Sequence, residues 1–195
     1  MTLLKMRKPK KTINQSGKRA NGPLPFASMT KHKDQRVAVL VDAANMYHSA
    51  KNLYKRRVNF KEVLKAAVAD RRLVRAIAYV IRGASNDEEE NFFEALSNQG
   101  FEVIIKDLQV FSGGARKADW DVGIAIDAIK LSDHVDVIVL VSGDGDYIPL
   151  VDYLQAAKGC RVEAMAFRQT TSSKLIEEVD DFTSLSDNRK FLIGR

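Results

Sequence analysis

A chain of 195 residues, 45% hydrophobic and 29% charged, has the length and balance of one globular domain with an appendage. No apolar run nears the roughly 20 residues that span a bilayer, and the start MTLLKMRKPKK lacks the apolar stretch of a secretory signal. Cys160 is the only cysteine, which excludes an intrachain disulfide and a cysteine-rich zinc site and makes the reducing cytoplasm the expected location.

The net charge of +6 is unevenly placed. Residues 1–33 hold nine Lys or Arg and no acid, so the 31 basic groups less these nine leave 22 against 25 acids, a net of −3, in residues 34–195. Three of the four prolines also fall in that first stretch. Residues 1–34 are therefore expected to be a disordered basic tail that attracts polyanions. Residues 35–185 are expected to form the domain and 186–195 a C-terminal tail.

From Arg36 onward apolar runs alternate with helical segments. The first run, Val37–Val41 (VAVLV), predicts a strand, and it ends in Asp42-Ala-Ala-Asn45 at the start of a helix. Asn59 and Glu62 have capping-box spacing for the next helix, which leads to a second strand at Ala76–Ile81. Ser85 and Glu88 repeat that spacing, and Gly100 marks a helix end before a third strand, Glu102–Lys106. After a glycine pair, Lys117-Ala-Asp-Trp-Asp121 opens an apolar helical pattern, with Asp119 suited to the N-cap and Asp121 to the first turn. Asp127 lies about 120° around that helix from Asp121 and is read as structural. The fourth strand, Val135–Val141, ends in Ser142-Gly-Asp144-Gly-Asp146; Gly159 precedes the fifth, Val162–Phe167, and the last packed helix is expected at Ser172–Val179.

Continuous rather than alternating apolar strands imply a parallel sheet covered by helices on both faces. In such sheets ligands bind beyond the carboxyl ends of the strands, where the strand order reverses. Acids stand at those ends on the first and fourth strands, and Arg82, Lys106 and Arg168 stand on the others. Glycine and aspartate also serve as ordinary turn and capping residues, so convergence depends on whether the first and fourth strands are neighbours.

Three segments, VLVDAANMY (Val39–Tyr47), KADWDVGIAIDAI (Lys117–Ile129) and VLVSGDGDYIPLV (Val139–Val151), together resemble the NYN domains of the PIN-like nuclease superfamily, in the LabA-like branch. The resemblance covers about residues 35–185. It implies an α/β three-layer αβα sandwich with a parallel five-stranded sheet of order 3-2-1-4-5, which sets the first and fourth strands side by side. It also implies an acidic cluster of Asp42, Asp121, Asp144 and Asp146, with Asn45 and Ser142 as polar neighbours. Characterised relatives include metal-dependent ribonucleases, while others in this branch are linked to regulation.

The chemistry implied is hydrolysis of RNA, single-stranded in preference, by endonucleolytic cleavage. Clustered carboxylates repel unless a cation or protons intervene, and hard oxygen donors point to Mg²⁺ or Mn²⁺ as cofactor and all four aspartates as ligands. Asn45, Ser142, Arg82, Lys117 and Arg168 are the substrate-binding candidates, through phosphate contacts. No membrane partner is expected, and a homodimer is allowed for. His48, His134 and the pair Phe92-Phe93 are read as surface or packing residues, and Trp120 either as a platform on which a base stacks or as packing against the sheet. Toprim and haloacid-dehalogenase-like folds also carry Asp-x-Asp after a strand, but the former wants a glutamate after its leading strand and the latter its Asp-x-Asp there. The alternative function is a non-catalytic RNA-binding or regulatory module that keeps the acidic pocket.

If the basic tail carries phosphate contacts, each neutralised phosphate adds up to about 0.7 to the magnitude of the salt slope of single-strand binding. Deleting residues 1–33 is expected to weaken RNA binding at low salt and flatten its salt dependence, as measured by fluorescence anisotropy across a salt series.

Overall fold

The computed structural model of the chain describes residues 31–83, 87–110 and 116–194, without the side chains of residues 110, 116 and 117. The expected tail up to residue 30 and the expected cap at Ser85 lie outside the described residues. In chain order the elements are β1 (Arg36–Asp42), α1 (Ala43–Tyr54), β2 (Arg57–Val58), α2 (Phe60–Val68), β3 (Arg72–Arg82), α3 (Asp87–Asn98), β4 (Glu102–Asp107), β5 (Gln109–Val110) and β6 (Arg116–Lys117). They continue with α4 (Asp121–Leu131), β7 (Val137–Val141), α5 (Ile148–Lys158), β8 (Arg161–Ala166), α6 (Ser173–Glu178), β9 (Asp181–Ser184) and β10 (Leu192–Ile193).

The central sheet runs β4-β3-β1-β7-β8-β9, and every neighbouring pair in it is parallel. The five expected strands are present in the expected order, with β1 between β3 and β7. The sheet has six strands rather than five: β9, Asp-Phe-Thr-Ser, joins at the outer edge of β8. Its single large apolar residue, Phe182, gives too little pattern to read as a strand, and its pairing partner supplies the order. Residues 186–195, expected to be a tail, contain a 3-10 turn at Arg189–Phe191 with Phe191 buried, and β10 pairs antiparallel with β2.

Period-two alternation splits β1 between two cores. Val37, Val39 and Val41 face a cluster that includes Met46 of α1, Val63 of α2 and Leu96 of α3. Ala38 and Leu40 face the opposite cluster, with Ile124 of α4, Leu154 of α5 and Leu175 of α6. Helices α1, α2 and α3 thus cover one face of the sheet, and α4, α5 and α6 cover the other. The local signals behave as expected at Asn59, whose side chain caps α2 at Glu62 N–H (3.4 Å), and at Gly100 and Gly159, both at positive φ. Cys160 is buried, and burial pushes its thiol up to about 11.

One ion pair is buried in the lower part of the sheet. Arg71 donates through Nη1 and Nη2 to the two oxygens of Glu163, each at 2.9 Å, with side chains 0% and 4% exposed. Arg161 and Lys31 add further cations at 3.1 and 3.5 Å. Burial alone would raise the Glu163 carboxyl, but the bidentate guanidinium and its neighbours outweigh it and hold the group below its ordinary value. The stability this supplies is present above the unfolded carboxyl pKa and lost as pH falls through the folded one. Glu163→Gln is expected to cost about 3–5 kcal/mol at pH 7, because Arg71 is left buried and unpaired. The deficit relative to wild type should narrow below about pH 4.5 in urea titrations, and the apolar pair Arg71→Met with Glu163→Leu should recover most of it.

Candidate active site

The pairing of Val41 with Val141 sets the ends of β1 and β7 side by side, so Asp42 and Ser142 emerge next to each other at the point where the sheet order reverses. Asp42 is 9% exposed and begins α1 as its N-cap, with Oδ1 accepting the Asn45 N–H at 3.0 Å. One turn of α1 reaches across to β7, where Asn45 Oδ1 accepts the Gly143 N–H at 3.3 Å. With its oxygen committed, the Asn45 amide has its NH₂ left to donate.

Past β7 the backbone folds on its own side chains. Ser142 is fully buried and its Oγ accepts the Asp144 N–H at 3.3 Å, while Asp144 Oδ1 accepts the Asp146 N–H at 3.0 Å and caps the 3-10 turn Gly145–Tyr147. The alternating glycines answer to the chain that crosses above them. A Cβ on Gly143 would lie 2.8 Å from Thr171 Oγ1 and within 3.1 and 3.2 Å of backbone atoms of Thr171 and Thr170; one on Gly145 would lie 2.9 Å from Ser172 Oγ. Ser172 N–H donates to the Gly143 carbonyl at 2.9 Å, closing that contact. The motif thus has aspartates wherever side chains are needed and glycines where the β8–α6 connection lies against the backbone.

The third acid arrives on α4. Its N-cap is Trp120, with no side-chain cap bond, and not the expected Asp119, whose carbonyl instead accepts Lys106 Nζ at 2.8 Å. The Trp120 indole N–H donates to the Val80 carbonyl at 2.9 Å and its ring lies 5.4 Å from that of Tyr79, so packing on the sheet decides where the helix begins. Asp121 is therefore the first residue of α4, and its Oδ1 accepts from the hydroxyl of buried Tyr147 at 3.0 Å. Tyr147 carried no signal in the sequence beyond its place after Asp146.

The electrostatics show that these acids share one environment. Burial pushes the Asp42 carboxyl up to about 6; the Asn45 N–H opposes this, and the charges of Asp121 and Asp144 add to it. Asp121 is raised by burial, which outweighs the opposing Tyr147 hydrogen bond, and by the charges of Asp144, Asp119 and Asp146. The Tyr147 hydroxyl is pushed up by burial and by Asp42, Asp121 and Asp144. Among the described residues, no three acidic, histidine or cysteine side chains stand close enough together to hold an ion as they are. The donor set nonetheless suits a hard cation: it is made of carboxylate oxygens, and Asp42, Asp121 and Asp144 are each fixed through one oxygen by a hydrogen bond.

The basic candidates lie further out. Arg82, at the end of β3, is ion-paired to Glu90 at 3.2 Å and Asp107 at 3.4 Å, and its guanidinium lies over Phe93 of α3. Arg168 follows β8 and stacks over Phe182 at 5.0 Å, while the Lys117 backbone pairs with Gln109 in the β5–β6 ladder. Asp127 accepts the Tyr79 hydroxyl at 3.0 Å, the structural role read for it. His48 is exposed beside Tyr47, and His134 lies in the turn that precedes β7, at the other end of the sheet.

Similarity to known proteins agrees with this fold. The family model for the NYN domain matches residues 36–186. The low amplitude and bright protein LabA of Synechococcus elongatus is 28% identical over 173 residues, covering 82% of this chain and 89% of LabA. The crystal structure of a protein of unknown function from Vibrio parahaemolyticus superimposes with a TM-score of 0.76 at 32% identity, covering 85% of this chain and all of that one. With a match spanning most of its length and all three acidic segments inside it, the chain belongs to the NYN domain family.

Proposed function

We propose that the protein is a divalent-metal-dependent ribonuclease that hydrolyses RNA phosphodiester bonds, preferring internal bonds of single strands, at the pocket where β1, β7 and α4 meet. The observation that carries this reading is the convergence of the acids: Asp42, at the sheet switch point beside the β7 end, is raised by burial and further by the nearby charges of Asp121 and Asp144. A fold built only for stability gains nothing from this, since each raised carboxylate ionised at neutral pH opposes folding. Membership in the NYN family supports RNA as the substrate class.

Asp42, Asp121, Asp144 and Asp146 would hold Mg²⁺ or Mn²⁺, which when bound would neutralise their charge, polarise the phosphodiester and favour ionisation of an attacking water. The chain's own residues prepare the rest. The Asn45 amide, oriented by Gly143, offers its NH₂ to a phosphate oxygen. Tyr147 holds Asp121 toward the pocket from the β7 side, and the Ser142 hydroxyl fixes the turn that presents Asp144. Arg82, Lys117 and Arg168 remain candidates for outer phosphate contacts, of which Arg168 forms no ion pair among the described residues.

Asp144→Asn is expected to abolish Mn²⁺- or Mg²⁺-dependent cleavage of a labelled single-stranded RNA while the protein stays folded. Cleavage at the wild-type rate by this variant would remove the pocket from the mechanism. Asp42→Asn should keep the α1 cap, because asparagine caps as well as aspartate. Its effect on stability is pH-dependent: the folded pKa of about 6 lies above the ordinary value of 3.8, so the penalty of ionised Asp42 is absent near pH 3.8, grows through that window and is complete above it. In EDTA the variant should therefore match wild type near pH 4 and exceed it by roughly 2–3 kcal/mol at pH 7. A variant no more stable at pH 7 than at pH 4, relative to wild type, would contradict this.

Binding of the ion to the native state alone stabilises it by about 2.7 kcal/mol at one hundred times Kd. Thermal melts should rise with Mn²⁺ relative to EDTA in wild type and rise less in Asp121→Asn and Asp146→Asn. Equal shifts in all three proteins would place the ion elsewhere.

A further inference from the structure

A second polar feature lies at the far end of α1. The pairing of Leu192 with Val58 and Ile193 with Arg57 draws together two basic runs far apart in sequence, Lys55-Arg56-Arg57 and Arg189-Lys190. Between them is a cleft of about 300 Å³ lined by Tyr54, Arg56, Ser186, Asn188, Arg189 and Leu192. Several arginines of the domain are matched with acids, such as Arg36 with Asp136 and Arg75 with Glu102, whereas Arg56 and Arg189, like Arg57, Arg72 and Arg168, form no ion pair among the described residues. The neighbouring Asp187 is engaged by the Ser184 hydroxyl at 3.0 Å. Asn188 accepts the Lys190 N–H through Oδ1, which leaves its NH₂ to donate. In residues 34–195, where acids outnumber bases by three, two unpaired guanidiniums in one cleft are a local excess of positive charge.

This cleft is tied to the acidic pocket by one continuous piece of structure. The Tyr54 hydroxyl donates to Gln169 Oε1 at 3.4 Å, and the Ser186 hydroxyl donates to the same oxygen. The next residue, Thr170, donates to Ser49 Oγ of α1 at 2.9 Å, and Thr170 and Thr171 lie against Gly143. Helix α1, 12 residues long, thus has the acidic pocket at its first turn and the basic cleft at its last, about 18 Å apart. Exposed Tyr47, His48 and Lys51 lie along it between the two.

We propose that the Arg56–Arg189 cleft grips the phosphodiester backbone of a single-stranded RNA roughly five stacked nucleotides, at about 3.4 Å each, from the strand's position at the acidic pocket. The proposal rests on the ribonuclease reading for its substrate class. Planar guanidiniums and amide donors suit phosphate oxygens, and the shared helix makes one long ligand, rather than a separate acidic peptide, the fitting occupant.

The test uses full-length protein in EDTA, so that binding is read without cleavage, with fluorescent single-stranded RNAs of 3 and 12 nucleotides titrated across a salt series. Wild type should bind the longer RNA more tightly. Arg56→Gln with Arg189→Gln should weaken 12-nucleotide binding about tenfold or more and reduce its salt slope by about 1.4 for two lost phosphate contacts. The paired lysine variant should keep the slope, which separates lost charge from disturbed folding. Unchanged 12-nucleotide affinity and slope in the glutamine variant would overturn the proposal, as would weakening toward a poly-glutamate peptide but not toward RNA. Because Asp144→Asn tests cleavage and these measurements read binding alone, failure of one reading is distinguishable from failure of the other.

Discussion

The parallel register that seats Val41 beside Val141 is the constraint on which the site depends. It joins the two halves of the sheet along buried apolar residues, most of them valine. It also obliges the next residues, Asp42 and Ser142, to leave the sheet at the same height and side by side. The helices that follow diverge to opposite faces and leave a notch between them, into which Tyr147 of one core reaches to bond Asp121. That notch is where α4 delivers Asp121 and where the turn after β7 delivers Asp144.

Cohesion elsewhere offsets the repulsion gathered there. The strand β1 contributes to two apolar clusters at once, and its residues Val37 to Val41 are all fully buried. Lower in the sheet the Arg71–Glu163 pair satisfies its buried charges internally, whereas at the upper end Asp42 is raised by burial and further by the charges of Asp121 and Asp144. The same molecule therefore holds two kinds of buried carboxylate. One is neutralised by the protein's own guanidinium; the other, Asp42, is raised by burial with no cation of the protein paired to it among the described residues.

Much of this was legible in the residues. The apolar runs VAVLV and VDVIVLV gave strands because burial on both faces leaves no polar alternation, and Gly100 and Gly159 gave helix ends because positive φ favours glycine. The strand order came from resemblance, since no local pattern tells a strand which neighbour it will have. Asp119 was misjudged as a cap because cap preference is a local energy, while the Trp120 bond to Val80 and its packing on Tyr79 are not. The strand β9 and the short β2–β10 ladder were missed for a related reason: their hydrogen bonds are specified by partners distant in sequence.

The Ser142–Asp146 motif shows where the division falls. By itself the sequence determined that two carboxylates follow a buried strand, that Asp42 follows another, and that the intervening glycines allow a tight turn, because these follow from side-chain chemistry and local backbone sterics. Only the tertiary structure decided that Asp121 and Tyr147 face those acids, that Thr170, Thr171 and Ser172 press on Gly143 and Gly145, and that Arg56 stands across from Arg189. Each of those relations is a contact between elements whose separation along the chain carries no information about their distance in space. It is fixed when the apolar faces of the helices settle on the twisted sheet.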